Sequence, residues 1–151
     1  MPSPTVPTYR VLMVDDSEDD GRLLELAFQK LEQFRLLGRA VDGNQAIAYL
    51  KGEGKYANRA WYPFPDVLLL DLRMPRVDGF DVLEWLRNQS FPDLRIIVLS
   101  GSDYTDDIGR ALELGAHFYR TKPLRFDQQI AMLKGLEENV TQSLARPMSC
   151  R

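Results

Sequence analysis

Three carboxylates, a hydroxyl and an ammonium close short apolar runs in this sequence: Asp15 and Asp16 follow VLMV, Asp71 follows VLLL, Ser100 follows RIIVL, and Lys122 precedes Pro123. Alone, each has a plain structural role. Asp15-Asp16-Ser17 reads as a helix-capping run, since acids favour a helix N-terminus. Asp71 reads as a turn-initiating aspartate, Ser100 as a small residue ending a strand, and Lys122-Pro123 as a turn. Together they describe a chemistry. A carboxylate at the mouth of a buried strand is costly unless a charge meets it. Three carboxylates close together repel, and one would stay protonated unless a cation intervened. Hard oxygen ligands on a partly open site suit Mg2+, which keeps several waters and shares the remaining positions with a phosphoryl group. Asp71 is then either a metal ligand or a nucleophile that accepts a phosphoryl group as an acyl phosphate. Mg2+, Lys122, and Ser100 with backbone N–H groups would each neutralise one phosphoryl oxygen. Phosphoryl transfer asks a protein chiefly for in-line positioning and charge neutralisation.

Such a constellation needs elements that bring five distant positions to one edge. Val11 to Val14 and Val67 to Leu70 are apolar without alternation, as in strands buried on both faces, and LRIIVLS is a third such run. RLLGRAV is a weaker strand ended by Asp42-Gly43, and AHFYRTKP holds a short last one. Between them lie helical patterns. Ser17 caps a helix to about Lys30 with Leu23, Leu26, Ala27 and Leu31 at helical spacing. Ala46, Ile47 and Leu50 mark a second. Asp78-Gly79 opens a third with Val82, Leu83 and Leu86 on one face, and Ile108, Ala111 and Leu112 mark a fourth closed by Gly115. Phe126, Ile130, Leu133 and Val140 give the fifth. Strands alternating with helices predict an α/β fold, a three-layer (βα)5 open parallel sheet of flavodoxin-like form. In such sheets, sites form at the carboxyl ends of the strands, where the strand order switches. The segment KGEGKYANRAWYPFPD is a long aperiodic loop, and its Trp61, Tyr62 and Phe64 are expected to cover the sheet edge.

Composition narrows the classes. The chain has 151 residues, 44% hydrophobic and 27% charged, with a net charge of −3, which predicts one ordinary globular domain. The 19 basic residues are scattered without an aromatic-interleaved stripe, so nucleic acid is not an expected partner. The one cysteine, Cys150, makes neither a disulfide framework nor a metal cluster. No apolar run approaches the roughly 18 residues of a membrane span, and MPSPTVPTYR is no signal peptide. A cytoplasmic protein is expected, with a disordered arm over 1–8, a domain over 9–140 and a tail over 141–151. His117, the only histidine, cannot build a metal site by itself and is expected at the surface or an interface.

The Asp15-Asp16 pair, LLLDLRMPRVDG around Asp71, VLSG with Ser100 and TKP with Lys122, in that order, resemble the receiver domain of two-component response regulators. The likeness covers about residues 9 to 140. The aromatic loop followed by LDLRMPRVDGFDVL is further similar to single-domain regulators that serve phytochrome-type sensor kinases. The resemblance implies strand order 2-1-3-4-5 and Asp71 as phosphoacceptor for a sensor histidine kinase's phosphohistidine. It implies Mg2+ held by Asp16, Asp71 and the Arg73 backbone carbonyl, with Asp15 acting through a bound water. Lys122 would pair with the phosphoryl oxygens, and its bond to Pro123 would be cis, which proline alone makes cheap. Ser100 would shift toward the phosphoryl group and Tyr119 would rotate inward behind it, a packing switch biased by a local charge. Arg73 and Ser102 occupy positions that tune phosphoryl lifetime in the family, with Arg73 departing from the common Asn. A homodimer through the fourth helix, fifth strand and fifth helix is also implied.

Three other functions fit less well. A haloacid-dehalogenase-type phosphatase needs a second Asp two residues after its nucleophile, where Arg73 stands, and a flavodoxin-like electron carrier would not tolerate DDSEDDG at its phosphate loop. A phosphorylation-independent binding module of the same fold would be betrayed by a missing acid or lysine. The expectation is a stand-alone phosphoacceptor that catalyses only its own phosphorylation and dephosphorylation.

Overall fold

The computed structural model describes residues 6–101 and 105–145. The elements alternate: β1 (Tyr9–Val14), α1 (Glu18–Phe28), β2 (Phe34–Ala40), α2 (Gly43–Lys51), a 3-10 turn (Gly54–Ala57), β3 (Val67–Leu70), α3 (Gly79–Arg87), β4 (Arg95–Ser100), α4 (Thr105–Glu113), β5 (Phe118–Thr121) and α5 (Phe126–Ala145). Every neighbouring strand pair is parallel, and the sheet order is β2-β1-β3-β4-β5. This is the flavodoxin-like order expected. The chain steps outward from β1 to β2 and then back across to β3, so the switch in order falls between β1 and β3. Asp15 and Asp71 follow those two strands directly.

The central strands carry no polar alternation because helices cover both faces. Leu12, Val14, Leu68, Leu70 and Val98 point toward a layer built from α2, α3 and Ala111 of α4. Val11, Met13, Val67, Leu69, Ile97 and Leu99 point the other way, onto α1 and α5. The α5 helix runs to Ala145, beyond the Val140 suggested by the apolar spacing, and Leu144 still packs on that second layer. A carboxylate inside this layer was not foreseen. Glu137 Oε2 accepts the N–H groups of Gln33 and Phe34 at 2.6 and 2.7 Å, anchoring the start of β2 to α5.

Of the stripe expected for the first helix, Ala27 and Leu31 pack on the core but Leu23 and Leu26 do not. Leu24, Ala27 and Phe28 face the sheet, whereas Leu23 and Leu26 are 41% and 45% exposed. Two apolar stripes share this helix, and a surface helix buries only one. Gly21 decides which, because it too is buried and lies against the Arg39 side chain. In α4 only Asp107 and Ala111 are buried, and Leu112, expected on the core face, is largely exposed.

The long loop is ordered by Arg59, whose guanidinium donates to the carbonyls of Tyr49, Leu50 and Tyr62 at 2.9 to 3.1 Å. It thereby adds donors to the Tyr49 and Leu50 carbonyls in the last turn of α2, where helical acceptors run short of partners. Tyr62 meets both Tyr49 and Tyr56 edge-on, Tyr49 and Tyr56 meet at a tilt, and Phe64 meets Phe91. Of the three rings expected to cover the sheet edge, Tyr62 and Phe64 pack with Tyr56 against the core layer of α2 and α3, whereas Trp61 is exposed.

Candidate functional site

Sheet hydrogen bonds set the two central acids side by side. Asp15 N–H donates to Ala40 O at 3.0 Å and Asp71 N–H to Val14 O at 3.0 Å, so the ladder carries on past the strands into the site. Asp15 is 2% and Asp71 7% exposed, while Asp16 faces solvent. Oxygens of Asp15, Asp16 and Asp71 lie within 4.8 Å of one another. From β5, Lys122 reaches in. Its N–H donates to Ser100 O at 2.7 Å, and its Nζ lies 2.8 Å from Asp15 Oδ2, 3.2 Å from Asp20 Oδ2 and 3.3 Å from Asp71 Oδ2. Asp15 Oδ1 also accepts the Ser17 N–H at 2.9 Å, at the start of α1.

Two opposing effects set the protonation of this cluster. Burial pushes the Asp71 carboxyl above its usual range and Asp15 adds to that, while the Lys122 charge and the Arg73 N–H pull it back. Burial works against the Lys122 ammonium, yet the Asp15 hydrogen bond and the charges of Asp71 and Asp15 outweigh it and hold Lys122 above the ordinary lysine range. One ammonium thus stands among three carboxylates within 3.3 Å, with a fourth, Asp16, beside them. The all-oxygen, partly open and net-negative donor set fits a hard divalent cation.

The loop after β3 is shaped to bring α3 onto the backbone of Asp71 and Leu72. Asp78 and Asp81 form a reciprocal capping box at 3.0 Å each, fixing where α3 begins. Gly79 N–H donates to Leu72 O at 3.0 Å, and a Cβ at Gly79 would collide with the Asp71 carbonyl oxygen and lie 2.7 Å from Leu72 Cα. The Asp-Gly pair is therefore a close-approach device as well as a helix start. Within the loop, Arg76 adopts φ 64, the left-handed region that follows Pro75 in a tight turn. Arg73 reaches out to α4, its guanidinium 2.6 Å from Asp107 Oδ2.

Asp15, Asp16, Asp71 and Lys122 are thus brought together as expected. Ser100 is fully buried at the end of β4, in register with Thr121. Tyr119 is half-buried on β5 opposite Val98 and packs on the α2–α3 layer. Ser102 lies outside the described residues. The Lys122–Pro123 peptide is trans, contrary to the expectation of a cis bond. Trans is the favoured form even before proline, and here Pro123 O accepts the Gln129 side-chain amide at 3.1 Å. Three participants went unnoticed in sequence. Asp20 looked like part of a capping run; its signal is its position about one turn after Asp16, which returns it to the same side of α1. Asp107 is Arg73's partner, and Arg39 donates to the Asp15 carbonyl at 2.8 Å. Neither carried a local signal.

A doubly wound sheet with an acid pair after β1, a third acid after β3 and a lysine after β5 is the arrangement that the resemblance to receiver domains implied. A family model described as "Response regulator receiver domain" matches residues 11–134. The chain is 31% identical over 144 residues to the response regulator Rcp1 of a Synechocystis species, covering 93% of this chain and 95% of that one. The solved structure of a phosphorylated cyanobacterial phytochrome response regulator, RcpA, is 31% identical with a TM-score of 0.77, covering 90% of this chain and 96% of that one. A Mn2+-bound form of Rcp1 is 32% identical with a TM-score of 0.72, over 86% and 92% of the two chains. The chain belongs to the response regulator receiver family, whose members are phosphoacceptors in two-component signalling.

Proposed function

We propose that Asp71 accepts the phosphoryl group, from the phosphohistidine of a sensor histidine kinase. The observation that carries this is the placing of Asp71 at the β1/β3 switch point, sharing the Lys122 ammonium with Asp15 in a cluster whose acid oxygens lie within 4.8 Å. An Asp71 carboxylate oxygen attacks phosphorus as the donor's P–N bond breaks, and the leaving imidazole nitrogen keeps the bonding pair and takes a proton from water. Lys122 neutralises one phosphoryl oxygen, and Ser100 binds another. Asp16, Asp71 and the Arg73 carbonyl would hold Mg2+, with Asp15 acting through water; the ion would supply charge neutralisation that Lys122 alone cannot. Tyr119 and Ser100 form the switch that reports phosphorylation to the α4–β5 surface, and Arg73 and Ser102 tune the phosphoryl lifetime.

The surroundings suit a protein donor. A groove beside Lys122 is lined by Leu23, Leu24, Pro123 and Leu124, and Leu124 is 97% exposed. An apolar lip next to a phosphoacceptor is a natural seat for the donor's helices. The likeness to RcpA supports a phytochrome-type kinase as the donor. No helix among the described residues is long and apolar enough to cross a membrane, and the reading places the protein in the cytoplasm with its domain over 9–140. A homodimer through α4, β5 and α5 belongs to the same reading. It is supported by the exposed Leu112 and the open edge strand β5.

The test is phosphotransfer from a purified, autophosphorylated sensor histidine kinase to the wild type and to Asp71→Asn. Transfer to the first alone, with the label on a peptide containing residue 71, supports the reading. Equal labelling of both proteins contradicts it.

A further inference from the structure

α4 is weakly built. It buries one apolar residue, Ala111, and carries Gly109 at its middle, where glycine disfavours helix. Its other buried residue is Asp107, and that carboxylate meets Arg73 at 2.6 Å across the cleft from the β3–α3 loop. A second polar clasp lies beside the first. The Phe80 ring, in the first turn of α3, has the Arg110 guanidinium of α4 at 4.2 Å and that of Arg73 at 5.8 Å. Arg73, Asp107, Arg110 and Phe80 therefore tie α4 to the loop that carries the phosphoacceptor. Among the described residues few apolar contacts back them up, and elements of that kind sit at the low-stability end of a fold.

Resting on the assignment of Asp71 as phosphoacceptor, we propose that Arg73 is a positioning residue that exchanges partners on phosphorylation, leaving Asp107 for the phosphoryl group and so loosening α4. Arg73 is two residues from Asp71, and its own N–H already faces that carboxylate. Its guanidinium is mostly exposed and free to swing on its stem, whereas Asp107 is fixed in the helix. A phosphoryl group offers nearly two negative charges and three acceptor oxygens against one charge and two oxygens on Asp107. Planar guanidinium groups bind phosphate bidentately. The exchange removes the ion pair by which the loop holds Asp107 and the first turn of α4. Covalent chemistry at Asp71 is in this way transmitted to α4 by a side-chain swap, separate from any movement of Ser100 or Tyr119. It also gives the arginine two residues after the phosphoacceptor a structural consequence beyond shielding the acyl phosphate.

Hydrogen exchange of the α4 amides tests this, read by mass spectrometry on wild type, Arg73→Ala, Asp107→Asn and the double variant. Each is measured without phosphodonor, and with acetyl phosphate and Mg2+ while intact mass reports the adduct. Wild-type α4 exchange is expected to quicken about fivefold on phosphorylation, the size of one partly exposed ion pair. Arg73→Ala and Asp107→Asn are expected to show that faster exchange already without phosphodonor, with no further rise when the adduct forms, and the double variant to equal either single one. A wild-type adduct that leaves α4 exchange unchanged overturns the exchange of partners while sparing Asp71's role, as do variants that quicken on phosphorylation as much as wild type. Absence of any wild-type adduct overturns both.

Discussion

At the scale of single residues, Lys122 sets the electrostatic balance of the site. It is the one ammonium among Asp15, Asp20 and Asp71, and two of those three carboxylates are buried. Replacing it by Met leaves buried charges without their partner, a change that costs about 3 kcal/mol in comparable settings. Lys122→Met is expected to lower the urea midpoint strongly in the presence of a chelator, and less so with millimolar Mg2+, which meets the same carboxylates; equal losses in both would contradict this account. His117 is a second residue with a checkable charge. Its Nδ1 accepts the Ile96 N–H at 2.9 Å, while the His117 backbone N–H donates to Ile96 O at 2.8 Å, so the ring extends the β4–β5 ladder in its neutral form. Partial burial and then the nearby Arg95 lower its pKa from 6.5. The unfolded chain therefore binds more protons below about pH 6.5, and stability rises with pH through that window. The contribution is whole above pH 6.5 and is lost as pH falls through the folded pKa. Urea melts between pH 5 and 7.5 are expected to show this slope in the wild type and a flatter one in His117→Ala.

At the scale of elements, the loop from Asp71 to Gly79 positions the chemistry, and Gly79 is its tightest point. A methyl group there meets the Asp71 carbonyl and the Leu72 backbone, which cannot rotate away as a side chain could. Gly79→Ala is expected to cost about 2 kcal/mol, in the range of overpacked buried positions, and to slow phosphoryl transfer by displacing Asp71. A protein as stable and as readily phosphorylated as the wild type would show that α3 does not need this approach. The Asp78-Gly79 signal was legible because turn and cap residues act locally. So were the central strands, since burial on both faces leaves an unbroken apolar run that ends where the acids begin. The buried face of α1 was not, because Leu23 and Leu24 both satisfy helical spacing and only the tertiary fit of Gly21 separates them. Glu137 gives no local sign that it will satisfy the N–H groups of Gln33 and Phe34, nor Asp107 that Arg73 will find it. Such pairings belong to the assembled sheet and helices.

At the scale of the whole molecule, a parallel sheet with a switch in strand order gathers residues from 15 to 122 onto one edge and places an apolar lip beside them. Asp15, Asp16, Asp71 and Lys122 were legible in sequence because each follows a strand, and a doubly wound sheet has only one such edge. The groove at Leu124 was not, since exposure of an apolar side chain depends on how α1 and α5 sit. Leu124→Glu is expected to leave stability within about 0.5 kcal/mol, as for ordinary surface changes. It should also slow transfer from a kinase at least several-fold and leave labelling by a small phosphodonor unchanged; equal effects on both donors would remove the groove from the account. The central claim is that the acid ending β3 carries the phosphoryl group. The most direct measurement is intact mass after incubation with acetyl phosphate, with Mg2+ and with a chelator, for the wild type and Asp71→Asn. The account expects one phosphoryl adduct that requires both Asp71 and the cation. A folded wild type that gains no adduct with Mg2+ present, or an Asp71→Asn protein that gains the same one, would contradict it.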